Sequence, residues 1–355
     1  MSKAPGRTRK VVNLALQGGG AHGAFTWGAL DRILEEEAIE IEGISGTSAG
    51  AMNAAALKSG MVAGGREGAR ASLESFWMSI VGGDCALPPL MLDWLAEIAP
   101  SPAMTSRALE ASPAGLMTEA FTRALSPYQF NPFNYHPMRA SVTRLLDYGH
   151  VCTGAWPKLF VCATNVRSGK IKVFSGDEIT PDALLASACL PTLFQAIEIE
   201  DKATGMVEAY WDGGYMGNPP LFPLFYQTST SDVIIVHINP MRREELPRTS
   251  TEILNRINEI SFNSSLLQAL RSVEFVHRLI QKGLVSHDSM MDVRVHSVQD
   301  DALMRQLGVA SKTTPNRALL LQLKEAGRQA MDRFLTEHWD NIGVRSSVDL
   351  RGMFG

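Results

Sequence analysis

Cysteine is scarce: the 355 residues contain four, Cys85, Cys152, Cys162 and Cys189, with no Cys-x-x-Cys pair and no matching histidine spacing. That excludes a disulfide framework and a zinc site, and it predicts reduced, mostly buried thiols with no metal and no cofactor. Long apolar runs are missing too. No stretch approaches the ~18 continuous apolar residues of a membrane-spanning helix, so membrane contact is expected only from the surface. The basic opening, Met1 to Lys10, leads into an apolar run, Val11 to Leu16, that is too short for a secretory signal peptide. The expected address is the cytoplasm, with peripheral membrane contact. Charge of one sign is lacking as well. A formal net charge of -4, a pI near 6.1 and a single short basic tract, Arg7 to Lys10, exclude nucleic acid as the main partner.

What is present suffices for a full-sized core, since 45% of residues are hydrophobic and 20% charged. The length admits two domains or one large α/β domain with insertions. Val11 to Leu16 reads as a strand, stopped by Gly18-Gly19-Gly20. Phe25, Ala29, Leu30, Ile33 and Leu34 then recur at helical spacing up to Glu35-Glu36-Glu37. A second unit follows, with a strand from Ile39 to Ser45, a turn from Gly46 to Gly50 and a helix from Ala51 to Lys58 closed by Gly60. Two successive strand-turn-helix units predict a parallel sheet with right-handed crossovers.

From about Gly82 to Trp156, eight prolines cut a Met- and Leu-rich stretch into short pieces, which reads as an insertion over the sheet. Its Met91, Leu92, Trp94, Leu95, Ile98, Leu116, Met117 and Phe121 suit either a lid dipping into lipid or buried helix faces. Lys158 to Thr164 and Lys170 to Phe174 predict a hairpin, Thr180-Pro181-Asp182 a helix start, and Val207 to Trp211 and Asp232 to Ile238 further strands. Helices are expected over Ser250 to Lys282 and Asn316 to Trp339, with a strand at Asp292 to Val298.

Three motifs carry chemistry. Gly46-Thr47-Ser48-Ala49-Gly50 sets a serine between two glycines on a strand-to-helix bend, where bulk at 46 or 50 would clash and the following helix N-terminus favours negative charge. Read alone, it is also compatible with an ordinary glycine turn. Gly18-Gly19-Gly20-Ala21-His22-Gly23 opens a helix after the first strand, so its N–H groups can converge on an anion. Gly18, Gly20 and Gly23 also fit a dinucleotide-binding loop. Against that reading, the place about 20 residues on, where such a loop needs an acidic residue, holds the Ser48 turn. Trp211-Asp212-Gly213-Gly214-Tyr215 ends a strand with a carboxylate and lets the chain turn away from it.

Glycine loop, serine bend and Asp-Gly-Gly, in that order and each after a strand, resemble the patatin-like phospholipases over residues 11–240. Ala186 to Pro191 resembles a further family element. The resemblance implies a three-layer α/β/α sandwich around a mainly parallel sheet, with 82–156 inserted and a mainly helical extension over 241–355. It implies a dyad of Ser48 and Asp212 without histidine, an oxyanion hole from Gly18, Gly19, Gly20 and Ala49, and support from His22, Gly46, Gly50, Gly213 and Gly214. The substrate is then a lipid or fatty-acyl ester.

A free Asp titrates near ~3.9, so burial beside Trp211 and Tyr215 has to raise Asp212. Two positions depart from the family. His22 stands where a lysine or arginine is common, giving a weaker, pH-dependent charge, and Gln17 stands where plant members are often acidic. His237 reads as a hydrogen-bonded core residue. An α/β-hydrolase order of Ser48, Asp212 and then His237, His287 or His296 is disfavoured by the single strand before the serine bend. A thioesterase, a transacylase, a storage-polyester hydrolase and a non-catalytic lipid-surface binder remain as alternatives.

Overall fold

The computed structural model of the chain describes residues 7–82, 104, 125–202, 204–286, 289–313 and 315–354. Most of the expected insertion, with all eight apolar residues named for it, lies outside these residues, as does His287.

The described strands form one sheet. They are β1 (Lys10–Leu16), β2 (Ile39–Thr47), β3 (Lys158–Asn165), β4 (Ile171–Ser175), β5 (Ile197–Asp201), β6 (Met206–Asp212), β7 (Asp232–Val236) and β8 (Arg294–Val298). Their order is β5-β6-β3-β2-β1-β7-β8, with β4 paired to β3. The run from β3 to β8 is parallel, and β4, β6 and β5 add antiparallel pairs at one side. Strand alternation sends Leu14, Leu16, Ile234 and Val236 to one apolar cluster and Ala15, Val233 and Ile235 to the other.

The first face is covered by α1 (Gly23–Ile33) and α2 (Ala49–Gly82). The opposite face packs α3 (Phe222–Gln227) and α4 (Ser250–Gln281), whose N-terminus is closed by a Thr249–Glu252 capping box. On the first face, α5 (Arg317–His338) lies directly on α1. Gly28 and Gly327 allow that approach, since a Cβ on either would stand 1.8 Å from the Lys324 carbonyl oxygen or 1.9 Å from that of Phe25.

Two local expectations change. Gly60 does not stop the second helix; it lets Gly68 approach its backbone, with a Cβ 2.2 Å from the Gly68 carbonyl oxygen. The helix ends instead at a kink at Gly64 and Gly65, where Gly65 has φ 62°, and a second helical run beyond the kink reaches Gly82, so Ala49–Gly82 is two helices. The sequence reading also contains no strand at Ile197–Asp201. Its alternating Ile and acidic residues build an edge strand with one buried face, paired to β6.

Candidate active site

The carboxyl ends of β1, β2 and β6 meet at one place, and the register explains how. Strand β2 ends with Thr47 opposite Cys162 of β3. On the next register position, β6 ends with Asp212 opposite Ala163. Since β4 occupies the other flank of β3 there, with Lys172 opposite Ala163, β6 takes up the flank that β2 vacates. Ser48 and Asp212, distant in sequence, are thus delivered to adjoining strand ends.

Ser48 sits at φ 53°, in the left-handed region that costs a non-glycine residue about 1 kcal/mol or more. Several contacts hold it there. Its N–H donates to Ser187 Oγ at 2.9 Å, and the neighbouring Thr47 Oγ1 donates to the Gly217 carbonyl at 2.6 Å. Gly46 and Gly50 face one another across the bend: a Cβ on Gly46 would lie 2.7 Å from the Gly50 carbonyl, and one on Gly50 2.1 Å from the Leu16 carbonyl oxygen. Ala49 opens α2, so its N–H belongs to the unpaired first turn at the positive end of the helix.

Asp212 is 1% exposed. Its Oδ1 accepts the Gly214 N–H at 2.7 Å, and its own N–H donates to the Cys189 carbonyl at 2.8 Å. Its Oδ2 is buried without a hydrogen bond of good geometry among the described residues, yet the Ser48 side chain lies close enough to favour the ionised form. That contact is looser than a formed bond. Burial raises the Asp212 carboxyl to about 7, opposed by the Gly214 N–H and Ser48. Gly213 and Gly214 have no room for side chains against the Cys162 carbonyl and the Phe262 ring, and Phe262 also packs edge-on against Tyr215.

The glycine loop leans on the serine bend, since a Cβ on Gly18 would stand 2.7 Å from Ser48 Cβ. Its four expected donors are not equivalent. The Gly18 N–H is already used, donating to Asn218 Oδ1 at 2.6 Å, which removes it from the set open to an incoming anion. The N–H groups of Gly19, Gly20 and Ala49 have no acceptor among the described residues. Gly20 turns at φ 60° beneath the Lys312 carbonyl.

His22 differs from expectation. Burial first, then the charges of Lys312 and Arg243, hold its imidazole well below the ordinary value. It is neutral, with Nε2 2.8 Å from Ser311 Oγ, and the pH-dependent charge expected of it is absent near neutrality. Of the histidines in the hydrolase alternative, the described His237 and His296 make no bond to Asp212, and His237 lacks the hydrogen bond expected of it. His296 Nε2 pairs with Asp232 Oδ1 at 3.0 Å, and neither ring nitrogen of buried His237 has a partner among the described residues. His237 lies just past the end of β7, with its N–H on the Val298 carbonyl.

Sequence reasoning missed the roles of Ser187, Asn218, Asn239 and Lys312. Ser187 lies inside the Ala186–Pro191 element already singled out, and Asn218 follows the Asp-Gly-Gly segment closely, so both places were usable signals. Lys312 reaches the loop from the C-terminal region through tertiary contact and leaves no local pattern.

A mainly parallel sheet with a glycine-flanked serine on the sharp bend after a central strand places the chain among α/β folds. More narrowly, the chain belongs to the patatin-like phospholipase family, whose sequence model matches residues 14–225. Membership makes the protein a hydrolase of lipid metabolism and implies a lipid substrate. No curated protein matches the chain. Among solved structures it is similar to VipD from Legionella pneumophila at 15% identity and a TM-score of 0.41, covering 94% of this chain and 68% of that one. It is also similar to the ExoU–SpcU complex of the type III secretion system of Pseudomonas aeruginosa, at 17% identity and a TM-score of 0.36. That match covers 94% of this chain and 53% of the other, so the chain spans about half its length. Among the described residues no helix is long and apolar enough to cross a membrane.

Proposed function

We propose that the protein hydrolyses fatty-acyl esters of lipids through a dyad of Ser48 and Asp212. Asp212 accepts the Ser48 proton as Oγ attacks the acyl carbonyl, and it returns that proton to the departing alcohol. Water then attacks the acyl-enzyme with the same assistance, releasing the fatty acid and restoring the serine. The N–H groups of Gly19 and Gly20, with that of Ala49, stabilise the oxyanion of each tetrahedral intermediate. Residues 11–240 carry the chemistry, and 241–355 pack against them as a buttress.

One observation supports this reading above the rest. A nearly inaccessible carboxylate keeps one oxygen without a formed hydrogen bond, beside a serine hydroxyl on a strained bend. Buried carboxylates are ordinarily saturated with donors, and this one is poised to take a proton instead. A carboxyl raised to about 7 is also matched to proton transfer near neutral pH.

The purified protein should turn over a p-nitrophenyl acyl ester and be labelled by a fluorophosphonate. Ser48→Ala and Asp212→Asn should each lower kcat by about 10³-fold or more. A fully active Asp212→Asn enzyme removes the dyad. Phospholipid, lysophospholipid, acyl-CoA and short polyester substrates compared side by side distinguish a lipid acyl hydrolase from the thioesterase and polyester readings.

A further inference from the structure

The glycine loop is braced by a polar network that extends well beyond the residues the family model covers. Buried Gln17, just before the loop, accepts the Ile238 and Asn239 N–H groups at 2.9 and 3.1 Å on Oε1. Its Nε2 donates to Asn263 Oδ1 at 3.1 Å and to the Asn218 carbonyl at 3.3 Å. Two asparagine side chains then grip Gly18 itself. Asn218 takes the Gly18 N–H at 2.6 Å and reaches its carbonyl at 3.4 Å, while Asn239 Nδ2 donates to that carbonyl at 2.7 Å. Behind Asn239 stands a cation, with Lys312 Nζ donating to Asn239 Oδ1 at 3.3 Å.

These bonds form a directed chain: Lys312 ammonium to Asn239 carbonyl, Asn239 amide to Gly18 carbonyl. The Gly18 carbonyl shares its peptide unit with the N–H of Gly19. We propose that Asn239 and Lys312 are positioning residues that orient and polarise the Gly18–Gly19 peptide, making the Gly19 N–H a stronger donor to the oxyanion. This inference rests on the Gly19 role proposed above.

The physical case has three parts. Hydrogen bonds in a chain strengthen one another, and a donor on a peptide oxygen withdraws electron density from the N–H of the same unit. The first link is charge-assisted, which adds to the effect. The direction of the Asn239 amide is fixed by its neighbours, since an ammonium only donates and a carbonyl only accepts. Around it, Arg243 and Arg256 both pair with buried Glu259; burial lowers the Lys312 ammonium, Glu259 supports it and Arg243 opposes it. The Lys312 backbone also forms the surface on which Gly20 turns.

A purely structural brace predicts something different, so the test separates them. Lys312→Met and Asn239→Leu should each lower kcat for a p-nitrophenyl ester about tenfold while KM stays within about twofold. Each should weaken inhibition by an acyl trifluoromethyl ketone, which forms an oxyanion adduct with serine, by the same factor as kcat, and leave binding of a long-chain alcohol unchanged. Because the two residues act in series, the double variant should be no worse than the weaker single one. Lys312→Arg should restore most of the rate. Should Lys312→Met not fold, Asn239→Asp, equal in size but lacking the donor amide, carries the same expectation.

Unchanged kcat in a wild-type-like fold overturns the inference. So does a loss confined to KM and melting temperature with ketone inhibition intact. A wild-type protein that hydrolyses no ester overturns the dyad and this inference together, whereas an active wild type indifferent to both substitutions overturns this inference alone.

Discussion

Gly18 and Ser48 touch so closely that a methyl group on the glycine would stand 2.7 Å from the serine Cβ. Gly18→Ala should therefore push the serine bend away from Asp212 and lower kcat about tenfold or more, measured on a p-nitrophenyl ester. Gly154→Ala is the matched control. A Cβ there meets nothing within 4 Å, and activity should be unchanged.

The pH profile follows from Asp212. As the proposed proton acceptor it works only when ionised, and burial raises its carboxyl to about 7. kcat/KM should fall tenfold per unit as pH drops below about 7 and level off above it. A profile flat down to pH ~5 would show that another group takes the proton.

The same shift has a cost in stability. A carboxyl whose folded value lies above its unfolded one stabilises the native state when protonated, and that contribution is lost as pH rises through about 7. Asp212→Asn removes the charge and keeps an acceptor for the Gly214 N–H. It should raise the melting temperature at pH ~8 while abolishing turnover, and the gain should shrink toward pH ~5.

Asp232 behaves in the opposite sense. Burial raises its carboxyl, but His296, three bonds from Arg294 and the Gly343 N–H outweigh burial and bring it down to about 2. Its contribution is present above the ordinary carboxylate range and is lost as pH falls through about 2. Asp232→Asn breaks a buried pair and should cost roughly 3 kcal/mol in urea unfolding at neutral pH.

His296 Nδ1 lies 3.2 Å from Ser347 Oγ, so Ser347, His296 and Asp232 imitate a serine-histidine-aspartate chain. The histidine is wholly buried and the carboxylate saturated with donors, which fits a tie for the C-terminal segment rather than a catalytic group. Ser347→Ala should hydrolyse esters at the wild-type rate and retain fluorophosphonate labelling at Ser48.

The parts of the site legible in the sequence are those imposed by local backbone geometry. A bend that lifts Ser48 to positive φ needs glycine at 46 and 50, and the turn after Asp212 needs glycine at 213 and 214, so short motifs betray them. The sheet was readable for the same reason, through apolar strands such as Val11 to Leu16. Position 60 shows the limit. A glycine that ends a helix and one that admits another backbone look alike until Gly68 is seen against it. Ile197 to Asp201 hid because its exposed positions are acidic, masking an edge strand as loop. Asn239 and Lys312 were invisible for a deeper reason, since Asn239 meets Gly18 across 221 residues and Lys312 meets Asn239 across 73.

The crossing of α1 and α5 at Gly28 and Gly327 carries one more implication. The helix that begins directly behind the glycine loop rests, backbone on backbone, on a helix drawn from residues 317–338. During synthesis the nascent chain exposes that bare groove on α1 until those late residues emerge. The serine turn is translated early, yet the helix behind the glycine loop gains this support only after residues 317–338 follow, so a shorter nascent chain carries Ser48 beside a loop without its backing.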